Sequence, residues 1–474
     1  MTMSDKVAPA DLAQSNPVSS WGEELRATFM LAWPLVIAQL AQNALHMTDV
    51  ILLGWLGPTH LAAGSLGTTF FMPFLLFGVG VVGAVAPLVA QARGARNIKA
   101  VRRIVRQGFW VALLLSTLLL PFVLQIKPIY QWLGQDPTVT DMAEQFIQIV
   151  AWSLFPATGI IALRSFLSAF DATRAILVIT VMGVIVNAIV AYALIFGHFG
   201  LPRLELRGAA IATLTTNIVM FLTMLFYVIR HRRFGRFHIL IRFWKPDWRH
   251  FRAIFALGTP IALTILAEVG MFTAAALLMG RIGIDEVAAH AIALQCASMA
   301  FMVPMGLGIA ATVRVGTAYG RRDQEGIRKA GWMSLMLGTS FMVVSCLAFL
   351  LFGYPIASFF LNPEIEANAN AIGLAVSFLA VAGIFQLVDG AQVTAAHALR
   401  GLSDTKVPMV LAIVGYWMIG LPTSYVLGLV LDWRGVGIWI GLAAGLSFAA
   451  IVLVTRFAMR ERLGLLEKIG VARS

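Results

Sequence analysis

Twelve apolar stretches follow one another along this chain with little between them, and that succession leaves few ways to fold. They run approximately over 28–56, 61–91, 104–126, 145–167, 175–199, 208–230, 253–280, 287–312, 330–356, 371–399, 407–431 and 436–458. Each is about 20 residues or longer, enough to cross ~30 Å of hydrocarbon. A backbone in hydrocarbon must satisfy its own N–H and C=O groups, so the stretches read as transmembrane helices. Composition agrees, with 59% hydrophobic and 12% charged residues, where soluble domains carry about 25% charged. The first 25 residues are polar and lack the basic-then-apolar order of a cleavable signal peptide, so the first span is expected to act as the membrane signal.

The net charge of +12 is distributed as a membrane protein distributes it. With loops assigned alternately to the two sides, all but five of the 35 Lys and Arg residues fall on the side of the N-terminus; the five are Lys127, Arg203, Arg207, Arg281 and Arg434. That asymmetry places both termini in the cytoplasm of an inner (plasma) membrane protein and argues against nucleic acid as a partner. The basic run 231–252 separates two halves, and an amphipathic surface helix touching anionic lipid is expected there. Cys296 and Cys346 lie inside spans and are assigned to core packing, as are His290 and His397.

The chain repeats itself at a shift of 226 residues. Pro34 meets Pro260, Gly54 and Gly57 meet Gly280 and Gly283, Gly80 meets Gly306, and Gly94 meets Gly320. Each half holds an even number of spans, so both enter the membrane in the same sense, as in parallel-repeat transporters. The expected fold is an all-α integral membrane protein of two pseudo-symmetric six-helix bundles. Its parts are an N-terminal tail (1–27), an N-lobe (28–230), the basic linker (231–252), a C-lobe (253–458) and a C-terminal tail (459–474).

Of 23 Asp and Glu residues, three fall within apolar spans: Asp49, Glu268 and Asp389. An ionisable group at such depth costs roughly 2.5 kcal/mol or more and marks a pathway by default. Gln39, Gln42, His46 and Asp49 are spaced by three, four and three, so they share one helix face. Gln386, Asp389 and Gln392 form a shorter stripe, and Thr264 sits one turn before Glu268. In the repeat register Glu268 stands opposite Gln42, and Asp49 opposite Ala275, so the halves differ in titratable chemistry. Apolar surroundings favour the protonated form of a carboxyl group, and oxygen ligands would suit it to a hard cation such as sodium. Either way, a small cation and an organic cation can compete for one negative charge, which with a bistable scaffold is the chemistry of antiport.

The stretches "MTDVILLGWLGPTHLAAGSLG" (47–67), "AEVGMF" (267–272) and "FQLVDGAQVTAAHALRGLSDTK" (385–406) resemble the multidrug and toxic compound extrusion (MATE) family, with Glu268 and Asp389 similar to the acidic pair of its NorM-type branch. The resemblance covers about 25–460. It implies a V-shaped pair of lobes, without an organic cofactor and working as a monomer, that exports amphipathic cationic drugs or dyes against H+ or Na+. It also implies a cation site at Asp49, Asn187 and Thr213, or at Glu268 and Asp389, with Gln39, Gln42, His46 and Gln386 beside them. Relatives carry a second Asn one turn after the first, where this chain has Ala191, and some a Tyr where it has Phe385. The missing oxygen makes protonation of Asp49 the better expectation than a closed sodium cage. Asn187 and Thr213 can equally be interhelical hydrogen bonds.

Competing functions leave weaker traces. No G-x-x-x-x-G-K-[ST] loop points to an ATP-driven pump, and no H-E-x-x-H or G-x-S-x-G to a membrane-embedded enzyme. A lipid-linked oligosaccharide flippase of the same superfamily would be expected to place several cations in its cavity. Here the candidates are Arg164 and Arg314, near the ends of spans 4 and 8.

Overall fold

The computed structural model describes residues 20–198, 200–239 and 241–466; the outer parts of both tails, 1–19 and 467–474, lie outside them. Among the described residues, twelve helices are long and apolar enough to span a membrane: α1 (Trp21–Leu56), α2 (Pro58–Gly94), α3 (Ile98–Val123), α4 (Pro137–Ala169), α5 (Thr173–Phe196), α6 (Glu205–Arg230), α7 (Trp248–Ile282), α8 (Ile284–Arg321), α9 (Gln324–Leu351), α10 (Ala369–Gly401), α11 (Lys406–Val430) and α12 (Arg434–Ala458). Polar residues cap many of them where the chain leaves the apolar run. Ser20 and Glu23 exchange side-chain and backbone hydrogen bonds at the start of α1, a reciprocal capping box. Asn97, Asp136 and Asp323 accept from first-turn amides of α3, α4 and α9. The capping box also corrects the tail boundary: α1 begins at Trp21, so residues 21–27 belong to the helix.

The linker differs from the expected surface helix. After α6 the chain forms a short helix, Arg232–Gly235, and then turns, with positive φ at His238 and Arg242. Phe234, Phe237 and Phe243 point inward, whereas Trp244 is 82% exposed. Phe234 is 1% exposed, and its ring lies 5.7 Å from that of Phe166, while Phe237 lies 4.7 Å from Phe170. Phe243 stacks on Trp110 at 5.3 Å and its carbonyl accepts from the Trp110 indole. Arg106 donates to the carbonyl of Arg242 at 2.9 Å. Burying those rings against α3 and α4 outweighs the amphipathic pattern, so the linker plugs the basic end of the N-terminal half.

The two halves meet at that same end. A Cβ added at Gly80 would lie 2.4 Å from the Cα of Ala262, and one at Gly306 2.8 Å from the amide nitrogen of Val36. These are equivalent contacts in the 226-residue repeat, α2 against α7 and α8 against α1. A second such pair follows toward the basic end, where Gly94 abuts the Thr317 carbonyl and Gly320 the Gln91 carbonyl, each at 2.1 Å from a built Cβ. Polar ties cross the same seam. Arg314 grips Glu24 through Nε and Nη2 (2.9 and 2.5 Å), and Gln91 donates to the Gly401 carbonyl and Ser403 hydroxyl, both at 2.8 Å.

The apolar core follows this seam. One cluster containing Leu35, Val81, Val85, Ile261 and Leu307 is shared by both halves. Toward the opposite end the core divides, with Leu52, Phe71, Phe146 and Ile195 in the N-terminal half and Met271, Phe378, Trp439 and Leu446 in the C-terminal half. The C-terminal half adds a cluster of its own at the basic end, around Val315, Ile327 and Phe457.

Gly80→Val tests the seam. Any branched side chain there collides with backbone, and overpacking of that kind costs about 1–3 kcal/mol. The purified variant is expected to melt several degrees lower than the parent. An unchanged melting temperature would contradict the close crossing.

Candidate functional site

In the N-terminal half, three helices converge on one carboxylate. Asn187 of α5 donates through Nδ2 to Asp49 Oδ1 at 2.7 Å, and the Thr213 hydroxyl of α6 lies 3.2 Å from Oδ2. Thr216, one further helical step along α6, donates to the Asn187 carbonyl oxygen at 3.2 Å. That bond fixes which end of the amide faces Asp49. Asn187 is fully buried, whereas Asp49 keeps partial exposure. No Lys, Arg or His forms an ion pair with Asp49 among the described residues. A bare cation needs oxygen ligands, and here Asn187 offers an N–H; sodium would have to turn the amide and break its bond to Thr216. Ala191, where a second amide might have stood, is 0% exposed and packs in the apolar cluster with Leu52 and Ile195.

The rest of the α1 stripe is divided. Gln39 accepts from Arg164 Nη2 at 2.8 Å, so Arg164 reaches into the bundle rather than sitting at a span end. Gln42 and His46 are exposed. Beyond them on α1, Val36 meets Gly306 and the Met47 sulfur lies 3.6 Å from Gln295 Nε2. The stripe therefore lies between the packing face of the N-terminal half and the side turned to the other half.

In the C-terminal half the acids stand on different helices, Glu268 on α7 and Asp389 on α10. Each lies within electrostatic reach of the other. The Gln386 carbonyl oxygen accepts from Ser345 of α9 at 2.6 Å, and Gln392 Nε2 donates to the Tyr416 hydroxyl at 2.6 Å. Tyr416 comes from a π-helical segment of α11, Val414–Gly420, and is fully buried. Asp389 Oδ1, Gln386 Nε2 and Gln392 Oε1 are buried without a protein partner. Buried polar atoms are normally satisfied, and these three lie on one face of α10 at a spacing of three residues. Phe385 lies instead between the rings of Phe272 and Trp439, at 6.0 and 5.6 Å.

The two halves thus hold different chemistry around the same scaffold. Where α7 has Glu268, α1 has Gln42, and the nearby buried charge of the N-terminal half is Arg164. Sequence reading missed Thr216, Tyr416, Arg400 beside Glu268 and the buried acids Glu24 and Glu286. Thr216 lay on the same face as Thr213, a legible clue. Tyr416 had none, because a Tyr in an apolar span equally fits a membrane-interface position. Glu24 and Glu286 sit at helix ends, where hydropathy counts them as solvated; the structure pairs them with Arg314 and Arg434.

The sequence profile of the MatE family matches residues 34–193 and 260–426, the two repeats in turn. The chain belongs to the MATE family. It is 42% identical over 456 residues to a probable multidrug resistance protein NorM of Mesorhizobium japonicum, covering 96% of this chain and 97% of that one. A protein of the same description from Brucella suis is 43% identical over 439 residues, covering 92% and 93%. The fold is similar to that of the eukaryotic MATE transporter AtDTX14, with a TM-score of 0.81 at 20% identity over 95% of this chain and 98% of that one. It also resembles a MATE structure in a bent conformation, with a TM-score of 0.84 at 20% identity over 96% and 100%. This MATE protein is a multi-pass membrane transporter, not an enzyme.

Thr216→Val removes the bond that orients Asn187 while preserving shape. Interhelical bonds in membranes average about 0.6 kcal/mol, so efflux by cells carrying the variant is expected to fall about threefold. Asn187→Leu, which strips a direct donor from Asp49, is expected to cost more. Equal, wild-type efflux from both variants at matched expression would show that the network is structural alone.

Proposed function

We propose that this MATE protein is a secondary active multidrug exporter of the inner membrane, exchanging amphipathic organic cations for protons or sodium by alternating access. The observation that carries the proposal is the state of Asp49: a carboxylate inside the membrane, held by neutral donors, with no permanent counter-charge. Such a group is costly when ionised, so a positive visitor relieves it, and two visitors compete. Glu268 and Asp389 offer a second negative centre in the other half, also without an ion pair. The relatives' description as multidrug resistance proteins supports the substrate class.

The basic end is the cytoplasmic side by the positive-inside rule. With the seam closed there and the core divided at the far end, the conformation described here faces outward. A coupling cation entering from outside neutralises Asp49, or the acids of the C-terminal half, and displaces bound drug. The cation-loaded carrier then turns inward. One charge moving inward supplies ~2.3 kcal/mol per 100 mV, enough for about a fiftyfold gradient. At Asp49 the oxygen ligand missing at Ala191 leaves sodium short of ligands, which supports a proton as the coupling ion. Exposed Met47 and Met299 add the adaptable apolar surface that promiscuous binding uses.

Efflux of a fluorescent organic cation from proteoliposomes, driven first by sodium alone and then by pH alone, tests the reading. One of the two gradients is expected to drive efflux, and Asp49→Asn to abolish it at normal membrane insertion. Undiminished efflux by that variant would remove Asp49 from coupling. Cargo movement independent of both gradients, with binding of a lipid-linked oligosaccharide, would favour a flippase.

A further inference from the structure

An ion pair joins the two halves beside the glycine crossings, and the exchange mechanism above gives it no task. Arg314 of α8 donates to both carboxylate oxygens of Glu24 of α1, from Nε at 2.9 Å and from Nη2 at 2.5 Å. Thr28, one turn further along α1, donates its hydroxyl to Glu24 Oε1 at 3.2 Å. Glu24 is 1% exposed, so its charge depends on these donors. The pairs Arg93–Asp171, Arg434–Glu286 and Arg456–Asp404, by contrast, each stay within one half. Arg314 stands one turn before Thr317, whose carbonyl faces Gly94 across the seam. The glycine crossings come in equivalent pairs from the two repeats, but these charges do not. At a shift of 226 the positions matching Glu24 and Arg314 are His250 and Leu88. The seam is symmetric in its packing and one-sided in this pair.

The pair also borders a polar cavity lined by Glu24, Arg93, Asp171, Arg314, Arg321 and Asp323. Parting two buried charges is costly when neither finds another partner. Here each half carries a substitute at the cavity rim: Arg93 for Glu24 in the N-terminal half, and Asp323 for Arg314 in the C-terminal half. That setting suits a contact made and broken repeatedly.

We propose that Glu24 and Arg314 form a latch on the basic end, closed in the conformation described here and parted in the step that opens that end. The inference rests on the alternating-access reading above and adds two positioning residues to it. They act on the balance between conformations and not on cargo or cation, since Glu24 stands about seven turns from Asp49 along α1. The two side chains belong to helices of opposite halves, so opening beyond their combined reach breaks both bonds. A contact present in one of two states biases the equilibrium toward that state. After parting, Glu24 turns to Arg93 and Arg314 to Asp323, and neither charge is left alone.

Labelling of a cysteine at the seam reads the opening. Ala90 of α2 is 0% exposed, and its Cβ lies 3.0 Å from a Cβ built at Gly316 of α8. In a chain lacking Cys296 and Cys346, Ala90→Cys is treated with a membrane-impermeant maleimide in inside-out vesicles, with and without the driving cation. Loss of a charge-assisted contact made in one state only changes the ratio of the two states about tenfold. Glu24→Gln is therefore expected to speed labelling about tenfold. Arg314→Lys, which keeps the charge but not the two-pronged contact, is expected to give a smaller rise. Glu24→Gln combined with Arg314→Gln is expected to label no faster than Glu24→Gln alone, because the same contact is lost once. Parent-like labelling in Glu24→Gln, or additive effects in the double variant, overturns the proposal and leaves the pair as packing. If labelling of the parent does not respond to the driving cation, the alternating-access reading fails and the latch with it. If the parent responds while Glu24→Gln labels as the parent does, the latch alone is refuted.

Discussion

The close crossing of the two halves at the basic end is the contact on which the rest of the architecture depends. Backbone approaches backbone at Gly80 and Gly306, and again at Gly94 and Gly320, so any side chain there would hold the halves apart. Lipid tails are as apolar as the helices, and association in a bilayer relies on such close packing rather than on the hydrophobic effect. Around the glycines the Glu24–Arg314 pair and the Gln91 bonds span the same seam. They lie at the polar edge of the membrane, where a few charges can be held without the full cost of burial. The closest backbone approaches lie at that end, and toward the other the core divides.

Division of the core lets the two halves carry different chemistry. The N-terminal half surrounds one carboxylate with neutral donors and keeps Arg164 on Gln39; the C-terminal half keeps two acids and places Arg400 beneath them. A strictly symmetric pair of lobes would bind the same visitor twice. His397 is fixed by the Val393 carbonyl and presents its other ring nitrogen to Arg400.

The linker shows where reading by pattern fails. Its arginines and aromatics alternate well enough to suggest a helix on the lipid surface. The same aromatics find a better place against Phe166, Phe170 and Trp110, in a turn that no helical period anticipates. The decision belongs to the surface that receives them, which is assembled from helices distant in sequence.

The sequence by itself determined the twelve spans, the 226-residue repeat and the depth of Asp49, Glu268 and Asp389. These are properties of a segment in a solvent: apolar length decides insertion, and an acid inside that length is conspicuous because hydrocarbon penalises it. Even the face shared by Gln39, Gln42, His46 and Asp49 needed only the helical period. Which residues answer those acids was decided by the tertiary structure. Thr216 on the Asn187 amide, Tyr416 in a π-helical turn, Arg400 under Glu268 and Glu24 across the seam all depend on which helix faces meet, and at what height. One-dimensional hydropathy carries no record of either, because a hydrogen bond between helices is fixed by rotation and register, and these are set only when all twelve pack together.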